Sequence, residues 1–189
     1  MPTAGGRVHQ LLTTAAQDAR CSQDGQLIVF HDRKGYEDPF RKHHTSSVTR
    51  DIWRYNTQTK EYKQLTSFAG EDRQPIFSPD QKSIYYLSEE KGDFNVFKMP
   101  LDKPGQSSQL TFFENHPVRS VSVSDDGLMS FSYNGELYSM REGQKPKKLS
   151  IQISADERYN DEKVVEIKSD IREMALSPNG KEVAFIVHG

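Results

Sequence analysis

His31, Asp32, Glu37, Asp38, His43 and His44 crowd into one short stretch of the chain, interleaved with Arg33, Lys34, Tyr36, Arg41 and Lys42. Imidazoles and carboxylates are the side chains that hold metal ions, yet adjacent histidines beside two cations are not a recognised ligand spacing. A solvated or packing role is the leading reading of this stretch, contact with a peptide comes second, and metal binding comes last. The candidates for peptide contact are His31, Arg33, Tyr36, Arg41, His43 and His44. Ser22, Ser78, Ser124 and Ser177 recur along the chain, but none sits in the Gly-x-Ser-x-Gly elbow that exposes a nucleophile. No catalytic residue is therefore assigned, no cofactor or metal is expected, and the chain by itself is expected not to cleave peptides. The single Cys21 excludes an intramolecular disulfide and a Cys-rich zinc site. Its place on a predicted strand suits a small buried hydrophobe.

The serines belong to a repeat. Ser22-Gln23-Asp24-Gly25, Ser78-Pro79-Asp80-Gln81, Ser124-Asp125-Asp126-Gly127 and Ser177-Pro178-Asn179-Gly180 start 56, 46 and 53 residues apart. Each lies between two short apolar runs, such as Ile76-Phe77 before and Ile84 to Leu87 after. Strand, Asp-Gly-type turn, strand is the pattern of a tight hairpin, so the serines and aspartates read as turn formers. Two further landmarks keep the period. One is Ile52-Trp53, Val96-Phe97 and Leu137-Tyr138; the other is Gln64-Leu65-Thr66, Gln109-Leu110-Thr111 and Lys148-Leu149-Ser150.

Each unit is thus four short strands in a meander, and a period of roughly 45 to 55 residues reads as blades of a β-propeller. A run such as Ile84-Tyr85-Tyr86-Leu87 is apolar on both faces, as a blade between two neighbours requires. The expected fold is all-β: a propeller segment of four-stranded antiparallel blades, about three complete with partial ones at either end. No helix longer than about two turns is expected. A generic β-sandwich is the weaker alternative. The count runs from one fourth strand near Gln10-Leu11 through three blades to two strands on either side of the tetrad at Ser177. Trp53 is expected to pack between blades.

Two units carry insertions. Ser22 to Trp53 spans 31 residues where the equivalent distances are 19 and 14, and the excess forms a loop from His31 to Arg50. Its mixed charge predicts a solvent-exposed, mobile loop on one rim, where repeat proteins place binding surfaces. The second insertion, between Leu149 and Ser177, holds the charged run Asp156 to Lys163 and reads as a solvated linker. With 34% apolar residues, no run approaches the ~20 needed to cross a bilayer. A net charge of −2 offers no basic field for nucleic acid. Neither membrane nor nucleic acid is an expected partner, and Met1 to Gly6 do not open a signal peptide.

Gln-Leu-Thr followed by Ser-Pro-Asp-Gly, an apolar strand and an aromatic third strand resembles the TolB-like propeller repeat. Phe30 to Pro39 and Arg172 to Phe185 are similar to the propeller region of tricorn-type serine proteases of bacteria. That resemblance covers essentially the whole chain. It implies that residues 1–150 end a first propeller, 151–169 form a charged linker or insertion, and 170–189 open a following blade or second propeller. It implies a parent serine peptidase whose PDZ-like and catalytic domains lie elsewhere, with propellers that filter or channel peptides. The expected partners are then peptides or proteins and the remainder of the parent protease, in a periplasmic or cytoplasmic setting. The alternative is a stand-alone TolB-like module that docks partner proteins. Unpaired blade edges are expected to promote self-association.

Overall fold

The computed structural model describes residues 5–36, 38, 41–43, 45–152, 166, 168 and 171–187. These fall into two compact units, residues 1–150 and 151–189, and each is described by itself. Among the described residues there is no helix. The first unit holds three four-stranded sheets. They are β1 to β4 (Ala16–Cys21, Leu27–Asp32, Ile52–Asn56, Tyr62–Gln64), β5 to β8 (Asp72–Phe77, Ser83–Ser88, Asn95–Pro100, Ser108–Gln109) and β9 to β12 (Val118–Val123, Met129–Tyr133, Glu136–Met140, Lys147–Lys148). The second unit holds the hairpin of β13 (Ile171–Leu176) and β14 (Val183–Val187). Every sheet is an antiparallel meander in sequence order.

The repeated tetrad is a self-contained turn. Ser22, Ser78 and Ser177 each donate from Oγ to the side chain two residues on (Asp24, Asp80, Asn179), at 2.6 Å. The same Oγ accepts the backbone N–H five residues on, from Leu27, Ser83 and Glu182, at 2.9 to 3.0 Å. Ser124 repeats both contacts with Asp126 and with the N–H of Leu128. Serine bonding holds Asp24, Asp80 and Asp126 below the ordinary carboxylate range, Asp126 at about 2. The fourth tetrad residue takes positive φ, which glycine adopts freely. Gln81 takes it too, at φ 58°, and its side chain ties the turn down. Its Nε2 donates to the Ser78 carbonyl at 3.0 Å, and its Oε1 accepts the N–H of Gln23 in the neighbouring blade at 3.1 Å.

Sheets pack face to face because alternate residues of a strand point opposite ways. On β6, Ile84 and Tyr86 join Val29, Ile52 and Leu65 of the first sheet. Tyr85 and Leu87 join Val118, Met129 and Phe131 of the third. The Leu-Thr landmark lies just beyond the short fourth strand and closes the blade. Leu65 is buried in the seam, and Thr66 Oγ1 accepts the N–H of Ile52 at 2.9 Å. Thr111 does the same for Val96 at 2.9 Å.

Two expectations need correction. Residues 10–13 form no strand: Leu12 packs on the outer face of the first sheet and the N–H of Thr13 donates to Tyr62 Oη at 2.8 Å. Trp53 packs with Ile28, Phe30 and Tyr55 on the first-sheet face turned away from the second sheet, the face on which its landmark equivalents Phe97 and Tyr138 pack between blades, and its Nε1 donates to Asp32 at 3.1 Å. Cys21 is exposed, whereas Phe77, at the same place before its tetrad on the edge strand β5, is buried against the first sheet.

That edge position recurs. β1 packs beside β5 and β5 beside β9, whereas β4, β8 and β12 have no counterpart in a neighbouring sheet. The first strands therefore converge. Each also carries a bulge that shifts its register, at Asp18, Gln74 and Ser120, with φ of 49° to 55°. These three lie four residues before Ser22, Ser78 and Ser124.

Ser78 is buried and Ser124 exposed, so the two turns differ in what water can repair. Ser78→Ala leaves the buried N–H of Ser83 unpaired and is expected to lower stability by about 1–3 kcal/mol. Ser124→Ala should cost well under about 1 kcal/mol, since water replaces the hydroxyl. Denaturant midpoints of the two variants check this; equal losses would show that the turn bonds do not depend on burial.

Candidate functional site

The chain enters each blade at the start of its first strand, the end that also carries the β2–β3 loop. At this end the first two sheets leave an open cavity of about 370 Å³ lined by Gln17, Asp18, His31, Arg50, Arg73 and Gln74. A narrower one of about 50 Å³ shares Asp18 and Gln74 and runs along the bulged strands to Arg20, Ile76 and Val121. On the third sheet, a cavity of about 440 Å³ is lined by His116, Pro117, Arg119, Ser132, Tyr133, Asn134 and Gly135.

The first cavity is built from strand ends. His31 ends the core-facing run of β2 and is 3% exposed, and its Nδ1 accepts the N–H of Gln74, 3.2 Å away, offered by the bulge in β5. Asp18 Oδ2 lies 3.7 Å from the same nitrogen. Burial holds His31 down at about 4; Arg50 and Arg73 push the same way, and Asp18 and Asp32 oppose them. The ring is therefore neutral at pH 7. Arg50, just before β3, donates to Glu71 at 2.9 Å with both side chains buried. Glu89 accepts the N–H of Glu71 at 3.2 Å and that of His43 at 2.8 Å. The Arg73 guanidinium lies 4.1 Å from the centre of the Phe94 ring, and burial pushes its pKa below the ordinary arginine value. Asp72, between Glu71 and Arg73, donates its N–H to the Arg50 carbonyl at 3.0 Å. Burial, which outweighs hydrogen bonds from Ser88 and Thr66, raises its carboxyl to about 7.

The inserted loop is anchored at both ends, although the charged residues between, Arg33, Lys34, Asp38, Arg41 and Lys42, are exposed as expected. His31, Asp32, Thr49, Arg50 and Asp51 are buried. Asp32 accepts the N–H of Asp51 at 2.8 Å, and Lys34 reaches Asp51 at 2.6 Å and the Thr49 carbonyl at 2.9 Å. Beyond, Lys42 donates to the Asn115 carbonyl at 2.6 Å and lies 3.2 Å from Asp93. The loop thus links the first sheet to the second and to the approach of the third. The anchoring of its ends comes from within its own blade, through Asp32, Lys34 and Asp51, and from the second sheet through the Gln74 N–H on His31.

Of the residues singled out in the sequence, His31 alone lines the cavity. Arg33, Tyr36, Arg41 and His43 are exposed, Tyr36 at 82%, and none of them lines it. Glu37 and His44 lie outside the described residues, as does the charged run Asp156 to Lys163. Sequence reasoning passed over Asp18, Arg50, Arg73, Gln74 and Arg119. A signal was present: the position five residues before each tetrad serine reads Gln17, Arg73, Arg119 and Arg172, and the next reads Asp18, Gln74, Ser120 and Glu173. Polar residues on a strand of a buried repeat mark an unusual backbone or a ligand face. The cavity offers forked cations, a neutral imidazole and amide groups, which bind and orient a polar chain. Among the described residues, no group of three or more His, Cys, Asp or Glu side chains converges as metal ligands.

No family model matches the chain. Over 105 residues it is 29% identical to the Tol-Pal system protein TolB of Helicobacter hepaticus (strain ATCC 51449 / 3B1), covering 56% of this chain and 25% of that protein. The chain thus spans a quarter of the length of that curated relative. In structure it is similar to the tricorn protease, with a TM-score of 0.64 at 19% identity over 89% of this chain and 15% of that one. TolB from Acinetobacter baumannii gives a TM-score of 0.54 at 16% identity over 96% of this chain and 39% of that one. At these identities the likeness is one of fold. The sheets are β-propeller blades of the TolB-like kind.

Two buried groups at this end titrate in opposite senses. His31 resists protonation when folded, so stability falls as pH drops from the ordinary histidine value of about 6.5 towards 4. Asp72 resists ionisation when folded, so stability falls as pH rises from about 4 through 7. The wild-type profile should be flattened by this opposition. Asp72→Asn should expose a loss of stability towards acid and His31→Gln a loss towards pH 7, read as melting temperature against pH. Identical slopes in the two variants would contradict the assignment.

Proposed function

We propose that this chain is a noncatalytic propeller segment that binds an extended protein or peptide segment where the first strands converge. The cavity lined by His31, Arg50, Arg73 and Gln74 carries this reading. Its two arginines are buried, are positioned by residues distant in sequence, and lie at the end of the blades that the inserted loop spans. Buried charges are costly to hold and stabilise a fold weakly, so their concentration at one open end favours recognition. In the fuller form of the proposal, residues 1–150 end a first propeller, 151–169 connect it, and 170–189 open the next. The whole then gates peptide substrates or products within a larger serine peptidase of tricorn type. The structural likeness to the tricorn protease supports this form. The identity to a Tol-Pal system protein favours a second reading, a TolB-like module whose sole task is to dock partner proteins.

A photo-crosslinking side chain tests the binding face. Placed at Gln17 it should capture an unstructured peptide. Placed at Asp102, in the β7–β8 turn at the opposite end of the second sheet, it should not. Equal capture at both positions would refute the face. In a parent peptidase, occupancy of the Gln17 position should also slow peptide turnover; the docking-module reading predicts no such effect.

A further partner surface is proposed on the third sheet. Phe30 pairs with Trp53 and Phe131 with Tyr138, so Leu128, Leu137 and Leu149 hold the positions of Leu27, Ile52 and Leu65, which the second sheet covers. They are 41%, 44% and 38% exposed. Association through this face should make sedimentation concentration-dependent, and Leu137→Lys should return the protein to a single slow species. A wild-type chain that sediments as one species at all concentrations would remove this surface from the proposal.

A further inference from the structure

We infer that the seam between the first two sheets holds a binding site for a primary ammonium group on an alkyl chain, accepted by Asp72 and Glu90. A lysine side chain of a partner and a free alkylamine carry the same group. The site is a cavity of about 240 Å³ where the chain crosses from β4 to β5, lined in part by Leu65, Phe68, Asp72, Tyr86, Glu90 and Ser107. It shares no lining residue with the cavity around His31 and Arg50, so it stands apart from the peptide-binding reading.

Asp72 is 2% exposed, and its Oδ1 is buried with no hydrogen-bond partner. Thr66 and Ser88 bond the carboxyl and leave that oxygen open. A buried acceptor in this state carries a desolvation cost that a positively charged donor would offset. Among the described residues that line the cavity, two are acids and none is basic. Burial, with the charges of Asp51 and Glu90 adding to it, raises the Asp72 carboxyl to about 7. Burial, with the charges of Asp72 and Glu90, likewise raises the Tyr86 phenol. A cation placed among these groups relieves all three. Lys91 lies 3.8 Å from Glu90, but its side chain is exposed and outside the lining.

The remaining walls choose among cations. Tyr86 Oη and Ser107 Oγ lie 2.6 Å apart, and each keeps a lone pair for a further N–H. Leu65 and Tyr86 are buried, and Phe68 packs on Gly70, where any Cβ would overlap its ring. Such walls suit methylene groups whose charged end reaches oxygen. A guanidinium pairs best with both oxygens of a carboxylate, and Asp72 offers one. Among the described residues, no group of three or more His, Cys, Asp or Glu side chains converges here to hold a metal ion, and calcium takes six to eight oxygens.

Two-dimensional NMR at pH 8, above the Asp72 value of about 7, follows the amides of Thr66, Asp72 and Glu90. n-Butylammonium and a capped Ala-Lys-Ala peptide should shift them saturably, whereas n-butanol and the norleucine counterpart of the peptide should not. Asp72→Asn and Glu90→Gln should each weaken both cations by about tenfold. Glu90→Gln alters an exposed side chain and keeps the test decisive if Asp72→Asn disturbs the fold. Tighter binding of the lysine peptide would assign the ammonium to a protein partner, and tighter binding of butylammonium to a free amine; either order supports the site. Equal shifts with butanol and butylammonium, or no saturable shift with either cation, would overturn it and leave the peptide-binding face standing. Calcium chloride that displaces butylammonium at a lower concentration would overturn the choice of an organic cation.

Discussion

Alternation along β6 is the constraint on which the first unit rests. Ile84 and Tyr86 turn to the first sheet, Tyr85 and Leu87 to the third, and all four are nearly fully buried. At about 1.5–3 kcal/mol for each large side chain removed from water, neither seam is dispensable. A sheet apolar on both faces has no solvent side, so polar groups are displaced to strand ends, edges and turns. That displacement decides where binding chemistry can sit. In the second sheet both faces are taken up by packing, its short fourth strand has no cross-blade partner, and only its two ends and the converging first strands remain.

The two ends are not equivalent. At the tetrad end, the turns are closed by their own serine and aspartate side chains, which leaves few polar groups unspent. At the other end, the chain crosses from blade to blade and the backbone cannot satisfy itself locally. There the bulge in β5 turns an N–H towards His31, Arg50 reaches across to Glu71, and the inserted loop is pinned by Glu89, Asp93 and Asn115. Positive φ at Asp18, Gln74 and Ser120 costs roughly 1–2 kcal/mol apiece for residues with a Cβ. Strain repeated at one register position in three sheets is a property of the blade, and it lines the converging edge with amide groups and polar side chains.

Buried charge is the second cost concentrated at this end. Ion pairs such as Arg50–Glu71 gain little net stability once desolvation is counted, and His31 and Asp72 both have their charged forms disfavoured. A fold stabilised by apolar seams elsewhere can carry such groups. Their placement around an open cavity, with Phe94 and Glu71 fixing the guanidiniums, is what recommends the cavity as a recognition surface.

Local information determined much of this protein. The tetrad turn closes between a serine and residues two and five positions on, so Ser78, Asp80 and the strands beside them could be read directly, and with them the repeat, the blade and the doubly apolar strand. His31 was legible as a polar group beside an insertion. Its surroundings were not: Asp18 and Gln74 lie on two different edge strands, Arg73 in another blade, and Arg50 across the inserted loop. Phe77 and Phe97 are buried in the seam between the first two sheets, and Cys21 and Trp53 hold the equivalent places in the first sheet. Arg73 and Arg119 were visible as a periodic pair, yet nothing in periodicity says that they point into cavities. Hydrogen bonds within five residues are set by the chain's own geometry. Which charges meet is set by how sheets stack, and stacking is fixed only when the apolar faces of blades tens of residues apart are buried together.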